Sequence, residues 1–498
     1  MNWLNDIIGV INNYLWSYVL IVMLIGIGLW FTIRTRFVQI RCIPEMFRLM
    51  TEGAGAKPRE GHISTFQAFC VSTASRVGVG NIAGIAIAVA TGGPGAVFWM
   101  WVIATIGAAS GFVESTLAQI YKAPRKGGGF VGGPAYYIGN VIGSSFFASL
   151  FAVLLAVTYG LIFNSVQANT ISLSMQTSFG FDTQMTGLAV AGFTALVIFG
   201  GLTRIAKVVG IMVPVMAGAY IIVALAVTAL NITMVPEVLV TIVRCAFDFD
   251  AVLGAGFGMA LMTGIKRGLF SNEAGMGSTP HAHAVARVKH PAEQGLAAII
   301  GLFIDTFIVV NMTAFVILCT GALDGTTTGI ALTQKAFTLG LGTIGNGFVA
   351  VCLLFFAFTT IVGWYFFAEQ NVKYLVGVRY VSIYRVLVLA FIMAGSFLHV
   401  TLVWELADLF NGLMVIPNII ALIGLSKIVG RALEDYEKKF LAGETPEFGE
   451  LAPVPADIPR YNGAPAQDPV LDPKPHRRLG GLRNRFRRRP HNAPENQA

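Results

Sequence analysis

Charge is what this chain has least of. Of its 498 residues only 12% are Asp, Glu, Lys or Arg, while 55% are hydrophobic. Soluble domains carry about 25% charged residues. So few charges cannot cover one soluble globule of this size. That excludes a cytosolic enzyme and leaves a polytopic membrane protein. Cysteine is scarce as well: Cys42, Cys70, Cys245, Cys319 and Cys352 are scattered, with no CxxC pair. Neither a disulfide framework nor a structural zinc site is expected. No Lys or Arg precedes Arg34. The first apolar stretch therefore lacks the basic leader of a signal peptide, and no small-residue cleavage site follows it.

The formal net charge of +8 is equally uninformative about nucleic acid. Lys474, Arg477, Arg478, Arg483, Arg485, Arg487, Arg488 and Arg489 account for all of it. A basic tail of this kind suits anionic headgroups and marks the cytoplasmic side. Residues 441–498 are rich in proline and poor in apolar residues, which reads as a disordered tail.

What is abundant is glycine, at 56, and phenylalanine, at 36, a mixture suited to packed membrane helices. Apolar stretches fall near 15–33, 66–91, 95–120, 146–170, 185–201, 209–230, 252–280, 296–321, 347–374, 380–398 and 402–426. The expectation is an all-α membrane protein of eleven helices. Basic residues cluster after the first stretch at Arg34, Arg36, Arg41, Arg48, Lys57 and Arg59. The positive-inside rule then places the N-terminus outside and the C-terminus in the cytoplasm. Alternate loops agree. Lys122, Arg125, Lys126, Arg204, Lys207, Arg287, Lys289 and Arg379 fall inside, against only Arg244 and Lys335 outside.

A span in lipid must satisfy its backbone internally, so glycine clusters and charges within one need a reason. Two spans have them. One holds Ser75-Arg76-Val77-Gly78-Val79-Gly80-Asn81-Ile82-Ala83-Gly84; the other holds Gly264 to Gly277, with Lys266, Arg267 and Glu273 inside it. After one extra N-terminal helix these are the first and sixth spans, five helices apart. An odd-sized repeat inverts its second copy. Paired interrupted helices at matching positions of two inverted halves point to a transporter site at the midplane. The expected organisation is an extra helix and linker over 1–62, repeats over 63–230 and 231–430, and the tail over 431–498. Gly78-Val79-Gly80-Asn81-Ile82-Ala83 also fits the dinucleotide pattern, but no strand precedes it.

A broken helix exposes N–H groups and a positive dipole end where it restarts. Gly80, Asn81 and Ile82 lie at that point and are candidates for gripping a carboxylate; Asn81 capping the restarted helix is the alternative. An ammonium would need acceptors, which carbonyls near Gly268, Leu269 and Phe270 could provide, with Gln167 as a further contact. No Asp or Glu lies in the first broken span, which argues against a cationic ligand. Lys266 and Arg267 next to Glu273 suggest an internal ion pair. His281 and His283 read as part of a solvated loop.

The stretches GVGNIAG from Gly78, Gly132-Gly133-Pro134-Ala135-Tyr136-Tyr137-Ile138, and GLFSNEAGMGS with Pro280 resemble the alanine/glycine:cation symporter family, over about residues 10–430. The resemblance implies a leucine-transporter-type inverted five-plus-five fold and sodium-coupled import of alanine or glycine across the inner membrane. It implies that Trp364, with Phe270, limits the pocket to very small side chains, and favours substrate contact for Gln167 and Thr360. It also implies a sodium ion between the hydroxyls of Thr359 and Thr360 and the carbonyls of Val77 and Gly80. No organic cofactor and no nucleic acid partner are expected. A proton-coupled symporter is the alternative. A polytopic membrane enzyme would need a carboxylate cluster or a nucleophile–base pair, and neither is evident in the sequence.

Overall fold

The computed structural model describes residues 2–55, 63–124, 129–142, 145–248, 256–398 and 400–441. The expected tail from 442 onward lies outside them. The described residues are almost entirely helical. Its helices are α1 (Asp6–Arg34), α2 (Ile43–Gly55), α3 (Thr65–Arg76), α4 (Gly80–Gly92), α5 (Gly95–Ile120), α6 (Pro134–Ile142), α7 (Ser145–Phe179), α8 (Thr183–Ile198) and α9 (Gly201–Leu230). They continue as α10 (Val235–Ala246), α11 (Gly256–Asn272), α12 (Pro280–Ala284), α13 (Pro291–Cys319), α14 (Gly329–Leu341), α15 (Thr343–Val376), α16 (Val378–Gly395) and α17 (Val403–Lys439). A two-stranded hairpin, β1 (Ala123–Pro124) and β2 (Phe130–Val131), is the only sheet among the described residues.

Every apolar stretch of the sequence contains a helix. Among the described residues eight are long and apolar enough to cross a membrane, and α3 with α4 makes a ninth. Two others, α8 with 16 residues and α11 with 17, are shorter than a usual span of about 20 residues. The outer faces fit lipid: Ile211, Val215 and Ile222 on α9 are each more than 60% exposed. Inside, α5 packs against α13, α11 and α1, and α15 against α7, α9 and α3.

The local reasons for the helix ends are readable. A capping box starts α3: Ser64 Oγ accepts from the Gln67 N–H and Gln67 Oε1 from the Ser64 N–H. Pro280 and Pro291 open α12 and α13, where a missing N–H does no harm. The chain breaks twice, within the two glycine-rich, charged spans. Val77–Val79 separate α3 from α4, which meet at a 45° bend. Residues 273–279 separate α11 from α12, through positive φ at Glu273, Gly275 and Gly277.

The sequence reading ended the bundle at about residue 430, yet helix continues to Leu441. The extension is held by contacts with the α1–α2 side of the molecule. Arg41 pairs with Glu437 at 2.6 Å, and Tyr436 donates to Glu45. At the same end His290 caps α13, its Nδ1 accepting from the Ala292 N–H at 3.1 Å, and its Nε2 faces Asp435 at 3.4 Å. Burial pushes the His290 imidazole down from 6.5 to about 4, against the opposing pull of Asp435. The unfolded chain thus binds the extra proton between these values. Stability from this site is full above pH 6.5 and is lost as pH falls toward 4. The melting temperature should fall over that interval, and less so in His290→Asn, which keeps a capping acceptor. Thermal melts across a pH series check this; parallel slopes for the two proteins would contradict it.

Candidate functional site

The two breaks face each other in the middle of the bundle. A Cβ added at Gly80 would lie 3.1 Å from the Ser271 Cα and 3.3 Å from the Phe270 ring. Only glycine permits so close an approach. The restarted helix begins with a wide π-helical turn, Gly80–Gly84; two further π-helical turns, Thr158–Ile162 in α7 and Ile304–Val310 in α13, adjoin the same region. Such turns occur frequently at functional sites.

At the first break, polar side chains meet the exposed backbone. Asn81 Oδ1 accepts from the Gly78 N–H at 2.9 Å, and Gln167 Oε1 from the Val79 N–H at 3.2 Å. Asn81 thus ties back to the broken segment, while the restarted helix has Val79 at its N-cap and no side-chain cap; the Asn81 Nδ2 donates to Asp305 Oδ1 at 2.6 Å. The Gln167 Nε2 is buried and has no partner among the described residues. A buried amide donor left unmade is costly, which marks it as a group awaiting an acceptor. The carbonyls of Asn81 and Ile82 accept from Thr313 and Thr333, each at 2.7 Å.

At the second break the structure corrects the sequence reading. Gly268 and Leu269 are helical, and the Leu269 carbonyl accepts from the Glu273 N–H at 2.9 Å. Gly268 serves packing instead: a Cβ there would meet Ile103 at 2.9 Å. The helix stops where Glu273 turns left-handed, at φ 57°. The N–H of Ala274 then goes to Asn272 Oδ1 at 3.0 Å and that of Gly275 to Glu114 at 3.4 Å. Their usual i−4 acceptors, the carbonyls of Phe270 and Ser271, lose those donors. The freed carbonyls thus lie two and three residues past Gly268, at Phe270 and Ser271. Glu114 also accepts from the Gly277 N–H at 3.0 Å and from Asn418 at 3.2 Å.

A group of oxygens gathers where α15 crosses the first break. The Thr360 hydroxyl lies 2.7 Å from the Ala74 carbonyl oxygen, 3.0 Å from that of Phe356 and 3.2 Å from that of Val77. One hydroxyl proton cannot serve three carbonyls, so lone pairs are in excess. That donor set suits a hard monovalent cation. Thr359 does not join it. Its hydroxyl donates to the Phe356 carbonyl at 2.9 Å and faces the Met216 sulfur at 3.7 Å. Adjacent helical residues lie 100° apart, so only one of the pair can face α3. Nor does the Gly80 carbonyl join, because it accepts from the Ile85 N–H within the π-helical turn. Ala74 was missed; every residue has a carbonyl, so no sequence signal marks this one.

An aromatic cluster closes the region. Trp364 is 1% exposed, with ring centroids 5.0 Å from Phe163, 5.4 Å from Tyr159 and 5.9 Å from Phe270. Buried charges do not pair as the sequence suggested. Lys266 and Arg267 both reach Asp408 on α17, and Glu273 is bound by Trp364, Ser75 and Ser278. Glu273 lies beyond the end of α11, so it does not share their helical face. His281 and His283 are buried, not in a solvated loop. His281 is 2.8 Å from Asn371, and His283 is 2.8 Å from Gln294 and 3.0 Å from Ser72.

Two interrupted helices facing each other across a polar centre in an apolar bundle define the class: a secondary membrane transporter. The chain belongs to the sodium:alanine symporter family, whose model matches residues 1–450. It is 48% identical over 447 residues to a probable sodium/glutamine symporter of Bacillus subtilis, covering 89% of this chain and 93% of the relative. It is 38% identical over 437 residues to a sodium/alanine symporter of Methanococcus maripaludis, covering 85% and 95%. A sodium/proton-dependent alanine carrier protein of Bacillus sp. strain PS3 is 39% identical over 423 residues, covering 81% and 94%. The protein is accordingly a multi-pass membrane symporter of the amino acid carrier type and not an enzyme, and its family implies sodium as the coupling ion.

Proposed function

We propose that this protein imports small neutral amino acids, alanine and glycine, by sodium symport through alternating access. Eleven crossings in two inverted five-helix repeats, with the N-terminus outside and the basic C-terminus in the cytoplasm of a cell bounded by this inner membrane, complete the reading. The observation that carries it is the shared first break. Gly78 lies between the Thr360 oxygen cluster and the Gln167 amide: an added Cβ would strike the Thr360 hydroxyl on one side and lie 3.2 Å from Gln167 Oε1 on the other. Sodium is held by Thr360 Oγ1 and the carbonyls of Ala74 and Val77. The amino acid carboxylate meets the backbone at Gly80, Asn81 and Ile82 and the free Gln167 amide donor. Its ammonium meets the carbonyls of Phe270 and Ser271, and its side chain meets Phe270 and Trp364. Ion and amino acid each order the segment that the other needs, and that reciprocity is the coupling. Rocking of α3–α4, α5, α11–α12 and α13 against the remaining helices then alternates access.

Uptake of labelled alanine into proteoliposomes tests this. An inward sodium gradient should drive accumulation, and glycine should compete where leucine does not. Uptake indifferent to sodium would reject the ion assignment.

A second reading, proton coupling, has one observation behind it. Asp305 is fully buried on α13, beside both breaks, and its hydrogen-bond partners Asn81, Ser271 and Thr306 are all neutral. A carboxylate so placed is a candidate proton carrier. A proton gradient that fully replaced sodium in the same vesicles would favour it.

A further inference from the structure

Glu273 is the residue that the reading above leaves without a task. It is fully buried, and it holds a left-handed backbone, φ 57°, that residues bearing a Cβ rarely adopt. Asn or Gly would end α11 there with less strain. A strained conformation retained at a functional centre asks what its side chain does. The carboxylate joins three elements. One oxygen accepts from the Trp364 indole N–H of α15. The other accepts from Ser278 at 2.8 Å, within the second break, and lies 3.1 Å from the Ser75 hydroxyl at the end of α3, which also faces the Ser72 carbonyl at 2.8 Å. Trp364 otherwise meets aromatic rings: Tyr159 edge-on at 84° and Phe163 tilted at 51°. Ring packing alone allows an indole several orientations of similar energy. A hydrogen bond from its one N–H to an immobilised carboxyl oxygen selects one of them.

We propose that Glu273 is a positioning residue that sets the upper size limit of the transported side chain by locking the Trp364 ring. This deepens the function proposed above and rests on it. With the anchor in place the indole is a rigid wall between Phe163 and Phe270. Without it the ring is free to tilt within the aromatic cluster, and room opens for additional methylene groups. Because Ser75 and Ser278 hold the other oxygen, the wall is set by the two broken segments themselves. A substrate too large for the locked ring would have to displace both.

The test is uptake into proteoliposomes with alanine, 2-aminobutyrate and leucine, scored as the ratio of Vmax/KM for alanine to that for each larger substrate. One methylene in an apolar pocket is worth about 10- to 200-fold in such a ratio. Trp364→Phe keeps an aromatic ring but removes the N–H together with part of the ring volume; Glu273→Ala removes the acceptor and leaves the indole intact. Each should lower the alanine/2-aminobutyrate ratio at least about tenfold, mainly by improving the larger substrate. Glu273→Gln retains a carbonyl acceptor and should restore the wild-type ratio. The double variant Glu273→Ala/Trp364→Phe should be no more relaxed than Trp364→Phe alone, because Glu273 acts on the wall only through the indole N–H. Trp364→Phe keeps the Glu273 contacts with both serines, so it remains informative should Glu273→Ala fail to fold. An unchanged ratio in Trp364→Phe, or additive effects in the double variant, would overturn the proposal. Wild-type vesicles that fail to take up alanine would instead overturn the functional reading beneath it.

Discussion

Replacing Thr360 by alanine raises the sodium concentration for half-maximal amino acid uptake by at least about tenfold, which corresponds to about 1.4 kcal/mol. The hydroxyl is the one side-chain oxygen in a cluster otherwise made of the carbonyls of Ala74, Val77 and Phe356. Removing it takes away a ligand from the ion and leaves the carbonyls of the broken segment without a bridging donor. The lost ligand destabilises the ion-bound form, and that sets the direction of the shift. Thr359→Ala, one residue away, changes the sodium requirement less than about twofold, because its hydroxyl bonds to its own helix at Phe356 and faces Met216. Sodium titrations of alanine uptake for the two variants make the comparison. Equal shifts would mean that both hydroxyls reach the ion and that the hydroxyl directions described above do not apply to the bound state.

The Gly78→Ala variant loses uptake by at least about a hundredfold while remaining folded. An alanine Cβ at this position overlaps the Thr360 hydroxyl and lies 3.1 Å from the Thr360 Cβ and 3.2 Å from Gln167 Oε1. Thr360 can yield only by turning its hydroxyl away from Ala74 and Val77. Gln167 can yield only by releasing the Val79 N–H. The substitution therefore damages the ion site and the amino acid site together, which lowering sodium demand or raising substrate cannot repair. Gly84→Ala is the matched control in the same segment, since its nearest neighbour would be the Val79 carbonyl oxygen at 3.8 Å. A Gly78→Ala protein with normal uptake and an unchanged melting temperature would remove the first break from the mechanism.

Part of this was legible in the linear chain. The charge deficit required a membrane, because no arrangement of so few charges covers an apolar globule. The runs of glycine and charge at Ser75–Gly84 and Gly264–Gly277 marked both segments that break, since neither makes a comfortable continuous span. The exact ends were less legible. Gly268 looked like a helix breaker, but it is a packing glycine against Ile103 of α5. The actual stop is Glu273, a residue whose intrinsic preference runs the other way. Side-chain pairing was hidden for a related reason. Lys266 and Arg267 precede Glu273 by only six or seven residues, yet their partner is Asp408, supplied by a helix some 140 residues further on.

The sequence alone thus determined the solvent, the helical class and the two places where backbone polarity would be released inside a bundle. These depend on composition and on local backbone chemistry, which neighbours in the chain are sufficient to fix. Only the tertiary structure decided which released groups meet. It brought the carbonyls of Ala74 and Val77 to the hydroxyl of Thr360, turned Thr359 away, and placed Gly80 against Ser271. Such choices depend on the rotation of each helix about its axis, where 100° per residue separates a ligand from its silent neighbour, and that rotation is set by packing against helices far away in sequence.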